Sequence, residues 1–154
     1  LSTGMCGMSE IEEALETITS QGNKNVILLH CVSSYPTDAK DVNLRAITTM
    51  QQAFQVPVGY SDHTIGSTVS KAAMSIGAHV LEKHFTLNVN YEGADHILSA
   101  EPEEMEDIVN SRDIIFSAMG SGVKKPRSVE NTSINLQRKN AKGKPAAGGK
   151  FWRF

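Results

Sequence analysis

The feature that most constrains this chain is a repeated alternation between two hydrophobic patterns. Short runs rich in β-branched residues and leucine, at 26–31, 56–60 and 78–82, alternate with stretches whose apolar residues recur every three or four positions. A run of four to six apolar residues bounded by turn-forming residues is too short for a buried helix and suits a strand covered on both faces. Ser9 followed by Glu12 has capping-box spacing, and Ile11, Ala14, Leu15 and Ile18 then predict a helix ending near Gly22. Asp41 is expected to open a second helix with Leu44, Ile47, Met50 and Phe54 on its apolar face. Val69, Ala72, Ala73 and Ile76 form a third stripe closed by Gly77. Pro102, followed by Glu103 and Glu104, begins a fourth and longest helix that runs to Gly120. With residues 1–4 as the tail of another strand, the order is four βα units. Right-handed crossovers would lay their strands parallel. The fold class expected is therefore α/β, a partial (β/α)8 barrel of about four units.

Composition excludes several alternatives. The 154 residues, 40% of them hydrophobic, match one ordinary domain with a sizeable core. A net charge of -2 provides no general basic surface for nucleic acid. The longest apolar run, Val26-Ile27-Leu28-Leu29, stops at His30, far short of the roughly 20 residues that span a bilayer. Cys6 and Cys31 follow no Cys-x-x-Cys pattern and suit reduced thiols in a cytoplasm. The chain begins at Leu1, from which a missing amino-terminal part is expected. Beyond Gly120, basic residues with proline and glycine replace the helical period, so residues 121–154 read as a linker or disordered basic tail.

Chemistry collects where apolar runs turn polar. His63 lies in Gly59-Tyr60-Ser61-Asp62-His63-Thr64, and His84 in Glu82-Lys83-His84-Phe85-Thr86. In a parallel α/β fold the carboxyl ends of strands form the functional face, and two imidazoles there can hold a divalent metal. A lone strand-end histidine is more commonly structural, and His30 and His79 are read that way. Glu82 and Lys83 must point to opposite faces of a strand, so one can enter the site while the other forms an ion pair.

These segments carry a resemblance. Ser2-Thr3-Gly4-Met5, Leu28-Leu29-His30-Cys31, Ser33-Ser34-Tyr35-Pro36, Asp41-Val42-Asn43-Leu44-Arg45-Ala46-Ile47, Pro57-Val58-Gly59-Tyr60-Ser61-Asp62-His63-Thr64, Glu82-Lys83-His84-Phe85-Thr86-Leu87 and Gly93-Ala94-Asp95-His96 resemble, in order, the sialic acid synthase family. The resemblance covers residues 1 to about 120. It implies the second half of a (β/α)8 barrel, with the family's antifreeze-like domain absent and the basic residues of earlier strands without counterparts. The implied reaction condenses phosphoenolpyruvate with an N-acylated hexose such as N-acetylmannosamine, in a cytoplasmic homo-oligomer that engages neither nucleic acid nor membrane. The resemblance makes His63 and His84 the ligands of a divalent metal, manganese first, with magnesium or cobalt as alternatives. It makes Glu82 an acidic residue beside the metal, and it places Tyr35 and Asp95 at the sugar, with His96 supporting the sugar site, and Ser2, Ser33 and Ser61 near phosphoenolpyruvate. The competing expectation is a non-catalytic half barrel that self-associates or pairs with another chain; a metal-dependent barrel hydrolase is a third.

Overall fold

The alternating pattern folds into a parallel sheet backed by helices. In the computed structural model, which describes residues 1–133, β1 (Leu28–Cys31) pairs with β2 (Val58–Asp62), and β2 with β3 (Leu81–Lys83). Both pairings are parallel, and the strand order follows the chain. Between and after the strands come α1 (Met8–Ser20), α2 (Arg45–Phe54), α3 (Thr68–Ser75) and α4 (Pro102–Met119). The expected strand tail at residues 1–4 appears as one parallel bridge between Ser2 and Leu29, with the Leu29 amide donating to the Leu1 carbonyl at 2.8 Å.

The two faces of the sheet differ because side chains alternate along each strand. Leu28, Val58 and Tyr60 point to the helices and join Ile11, Leu15, Ile47, Met50 and Ala73 in one buried cluster. Leu28, Ile47 and Val58 have no exposed surface. The opposite face carries Leu29, Cys31, Gly59, Ser61 and Glu82, which the register places side by side. Gly59 is required by close approach: a Cβ there would lie 2.4 Å from the Val80 carbonyl oxygen.

Several boundaries differ from those expected. Helix α1 starts at Met8, because the Gly7 amide is satisfied by the Glu10 carboxylate at 2.7 Å; Ser9 lies inside the first turn. Asp41 ends a separate 3-10 turn, Ala39–Asp41, and α2 waits until Arg45. Asn43, at φ 52°, is left-handed, so no helix can run through it. Strand β2 continues past Tyr60 to Asp62. Ladder bonding before β3 begins with the His79 amide on the Val58 carbonyl, but regular strand geometry starts at Leu81 and reaches Lys83.

The chain divides into two units, Leu1–Gly120 and Ser121–Phe154. The described part of the second contains a 3-10 turn, Ser128–Glu130, whose start is closed by the Arg127 amide on Glu130 Oε2. Most of the expected basic tail, residues 134–154, lies outside the described residues.

Candidate functional site

Register alone gathers the polar side chains. Cys31 is the partner of Ser61, and Ser61 of Glu82, so the three share one row across the sheet face turned away from the helices. Ser33, His63 and His84 lie two residues further along and repeat the same orientation at the carboxyl ends of the strands. Ser61 is buried and donates its hydroxyl hydrogen to Glu82 Oε1 at 2.7 Å. Glu82 is otherwise exposed, leaving its second carboxylate oxygen available to a ligand.

The two imidazoles meet above this row. Their ring centroids are 5.4 Å apart and their planes nearly perpendicular at 78°. The Tyr35 ring, next to the cis Tyr35–Pro36 bond, stacks beside His63 at 4.2 Å and meets His84 at 5.8 Å. His63 is 5% exposed, and its Nδ1–H donates to the Val32 carbonyl at 2.8 Å. That bond leaves the lone pair on Nε2, the tautomer a metal ligand requires. Ser61 Oγ lies 3.5 Å from this Nε2. Among the described residues no group of three or more His, Cys, Asp or Glu side chains is arranged for a metal ion. The described residues thus offer two imidazole rings, a donor type that divalent ions accept alongside oxygen donors from substrate or water.

The other expected residues divide. Ser33 is brought in through Gly4: a Cβ on Gly4 would lie 2.3 Å from Ser33 Oγ and 3.3 Å from Cys31 Sγ, so the bare glycine keeps this corner open. Ser2 shares the face through its bridge to Leu29, further down the sheet. Asp95 is exposed at the start of the 3-10 turn His96–Leu98, and its side chain makes no capping hydrogen bond there. His96 Nδ1 lies 2.8 Å from Thr86 Oγ1, and its ring meets Tyr91 edge-on. His30 is buried on the helix side and donates to the Val42 carbonyl at 2.7 Å, while His79 lies near Gln51, as suits two structural residues.

Cys31 was not foreseen at the site, nor was Asp62 as the partner in the ion pair expected at Glu82 or Lys83. Cys31 belongs to the site, with Sγ 3.9 Å from His63 Nδ1. Burial pushes its thiol pKa up and the Glu82 charge adds to that, while hydrogen bonding to Ser61 and Ser33 opposes it. The signal was the period-two row Leu29, Cys31, Ser33. Beneath the site lies a buried ion pair, Lys83 Nζ to Asp62 Oδ2 at 3.3 Å, with side chains 1% and 0% exposed. A separate cavity of about 410 Å³, lined by Thr3, His30, Asn43, Arg45 and Met50 among others, opens by β1 and does not include His63 or His84.

Comparison with known proteins follows the same residues. The family model described as the NeuB family matches residues 1–124. The chain is 46% identical to the N,N'-diacetyllegionaminic acid synthase of Campylobacter jejuni over 142 residues, covering 91% of this chain and 42% of that protein. It is 40% identical to the human N-acetylneuraminate-9-phosphate synthase over 125 residues, covering 80% of this chain and 34% of that one. The crystal structure of N-acetylneuraminic acid synthetase from Leptospira borgpetersenii, in complex with citrate, superposes with a TM-score of 0.80 at 36% identity. That match covers 93% of this chain and 50% of the other. The α/β fold with its parallel sheet thus corresponds to part of a synthase barrel, and the chain spans about two fifths of the length of the curated relatives it matches.

Proposed function

This chain belongs to the NeuB family, and from that premise we propose that it is the metal-bearing half of a nonulosonic acid synthase, four successive βα units of a (β/α)8 barrel. The reaction is the condensation of phosphoenolpyruvate with an N-acylated hexose such as N-acetylmannosamine. A bond forms between C3 of phosphoenolpyruvate and the aldehyde carbon of the open-chain sugar, water adds at C2, and phosphate leaves. The observation that carries this reading is the convergence of His63, His84 and the Ser61–Glu82 pair on one sheet face.

His63 and His84 would hold the divalent ion, manganese in preference to magnesium or cobalt, and the ion would supply Lewis-acid polarisation of the aldehyde. His63 is preset for this by its bond to Val32, which fixes the tautomer. Glu82, anchored at one oxygen by Ser61, directs the other at the sugar, where it orients a hydroxyl or moves a proton. The short hydroxyl side chains of Ser2, Ser33 and Ser61 receive phosphate or carboxylate oxygens of phosphoenolpyruvate, and the open corner at Gly4 leaves room for them. Tyr35 and Asp95 bound the sugar. Phosphoenolpyruvate and a free N-acylated hexose are small water-soluble molecules, and their condensation calls on no nucleic acid or membrane partner. Among the described residues no helix is long and apolar enough to cross a membrane, and a reaction on soluble metabolites suits the cytoplasm.

The test supplies the chain with the remaining barrel half of a relative and measures phosphate release from phosphoenolpyruvate with N-acetylmannosamine. Release that depends on added manganese and falls at least about a hundredfold in His84→Ala is expected, since loss of one ligand removes most charge stabilisation at the aldehyde. Full activity in His84→Ala would sink the assignment.

A further inference from the structure

The buried pair Asp62–Lys83 is unlike any other charge in the described residues, and its place in the chain gives it a role. Asp62 sits between Ser61 and His63; Lys83 sits between Glu82 and His84. The two are register partners, at the last rung of the β2–β3 ladder. Strand alternation turns both toward the helices, so each lies directly behind two candidate site residues.

Asp62 is saturated with donors. Its Oδ1 accepts from the Thr64 amide at 2.8 Å, from Thr64 Oγ1 at 2.8 Å and from Tyr60 Oη at 3.2 Å. Its Oδ2 accepts from Ser70 Oγ in α3 and from Lys83 Nζ. Lys83 Nζ donates again to the Thr64 carbonyl at 2.7 Å. Thr64 is therefore gripped at its amide, its hydroxyl and its carbonyl by the two charges, immediately after His63. His63 and His84 both lie past the last β2–β3 rung, and their carbonyls accept instead from the Thr37 amide at 2.9 Å and the Ala100 amide at 2.8 Å.

A buried ion pair is a poor source of net stability compared with apolar packing of the same volume, so stability alone does not account for one here. We propose that Asp62 and Lys83 are positioning residues that set the separation and orientation of the His63 and His84 rings, and thereby their joint affinity for a divalent cation. The cation arm rests on the reading of the two histidines as a metal pair; the ring geometry does not.

The experiment uses the full 154-residue chain. The double variant Asp62→Asn with Lys83→Met removes both charges while keeping an acceptor for Thr64 and a stem of similar length, and its thermal melt reports folding. Two readouts follow. In proton NMR the unaltered chain is expected to give a contact between the His63 and His84 rings and a slowly exchanging His63 Nδ1 proton; the folded double variant loses both. Manganese affinity by calorimetry falls about 10- to 100-fold, as when groups behind metal ligands are removed. A merely structural pair would shift the melt and leave rings and affinity unchanged, which would overturn the proposal. Should the double variant not fold, Thr64→Val, which deletes only the hydroxyl on Asp62, is read instead. It is expected to weaken the ring contact and lower manganese affinity at a near-normal melt, and unchanged values overturn the proposal. If the unaltered chain takes up no manganese, the metal reading fails and the NMR arm alone decides the positioning role.

Discussion

At the scale of single residues, the site depends on which hydrogen each side chain has already committed. His63 has given its Nδ1 proton to Val32 and Ser61 its hydroxyl proton to Glu82, so Nε2 of the first and one carboxylate oxygen of the last remain for a ligand. Cys31 lies among them with its thiol pKa pushed up, chiefly by burial. A raised pKa lowers the thiolate fraction at neutral pH, and the thiolate is the nucleophile. Cys6 is exposed. Alkylation by iodoacetamide near about pH 8 should therefore label Cys6 well ahead of Cys31, and Cys31 labelling should keep rising as pH increases toward about 10. Peptide mass spectrometry across that range checks it; Cys31 reacting as fast as Cys6 would show that the row beside His63 is open and its thiol unperturbed.

At the scale of elements, the helix-facing side of the sheet carries the buried core and the other side carries the candidate site. Leu28 is wholly buried at the junction of β1 with α1 and α2. Leu28→Ala should destabilise the chain by about 2–5 kcal/mol, the range for emptying a leucine site in a rigid core, while leaving manganese binding by the folded fraction intact. Denaturant unfolding and calorimetry on the same sample check both halves. The order of elements was legible in the sequence because amphipathic stripes and short apolar runs have different periods. Helix α4 from Pro102 to Met119 was read almost to the residue, since proline and the acidic pair mark its start. The start of α2 was not, because the left-handed Asn43 is a backbone state that its side chain permits but does not announce. Most candidate site residues were legible as strand-end polar groups. An ion pair at Glu82 or Lys83 was expected, but Asp62 as its partner and Cys31 in the site row were not legible, because they depend on which residues of neighbouring strands share a row, and register is fixed by packing between elements.

At the scale of the whole molecule, one sheet face is covered by helices while the other has no covering helix among the described residues, and the edge beyond β3 is paired there only at the Phe85–Ala100 bridge. Unpaired strand edges invite pairing with another chain. The isolated chain should sediment as a dimer or larger species; a stable monomer in sedimentation velocity would count against the half-barrel reading. The account as a whole is tested most directly by titrating manganese into the purified chain in a calorimeter, then adding phosphoenolpyruvate, with His63→Ala, His84→Ala as the control. Saturable manganese binding in the unaltered chain, absent from the double variant, is the predicted result, and heat on adding phosphoenolpyruvate would extend it to the serine row. A folded chain that binds no manganese, or binds it equally well without the two histidines, would contradict the claim that this face holds the metal of a nonulosonic acid synthase.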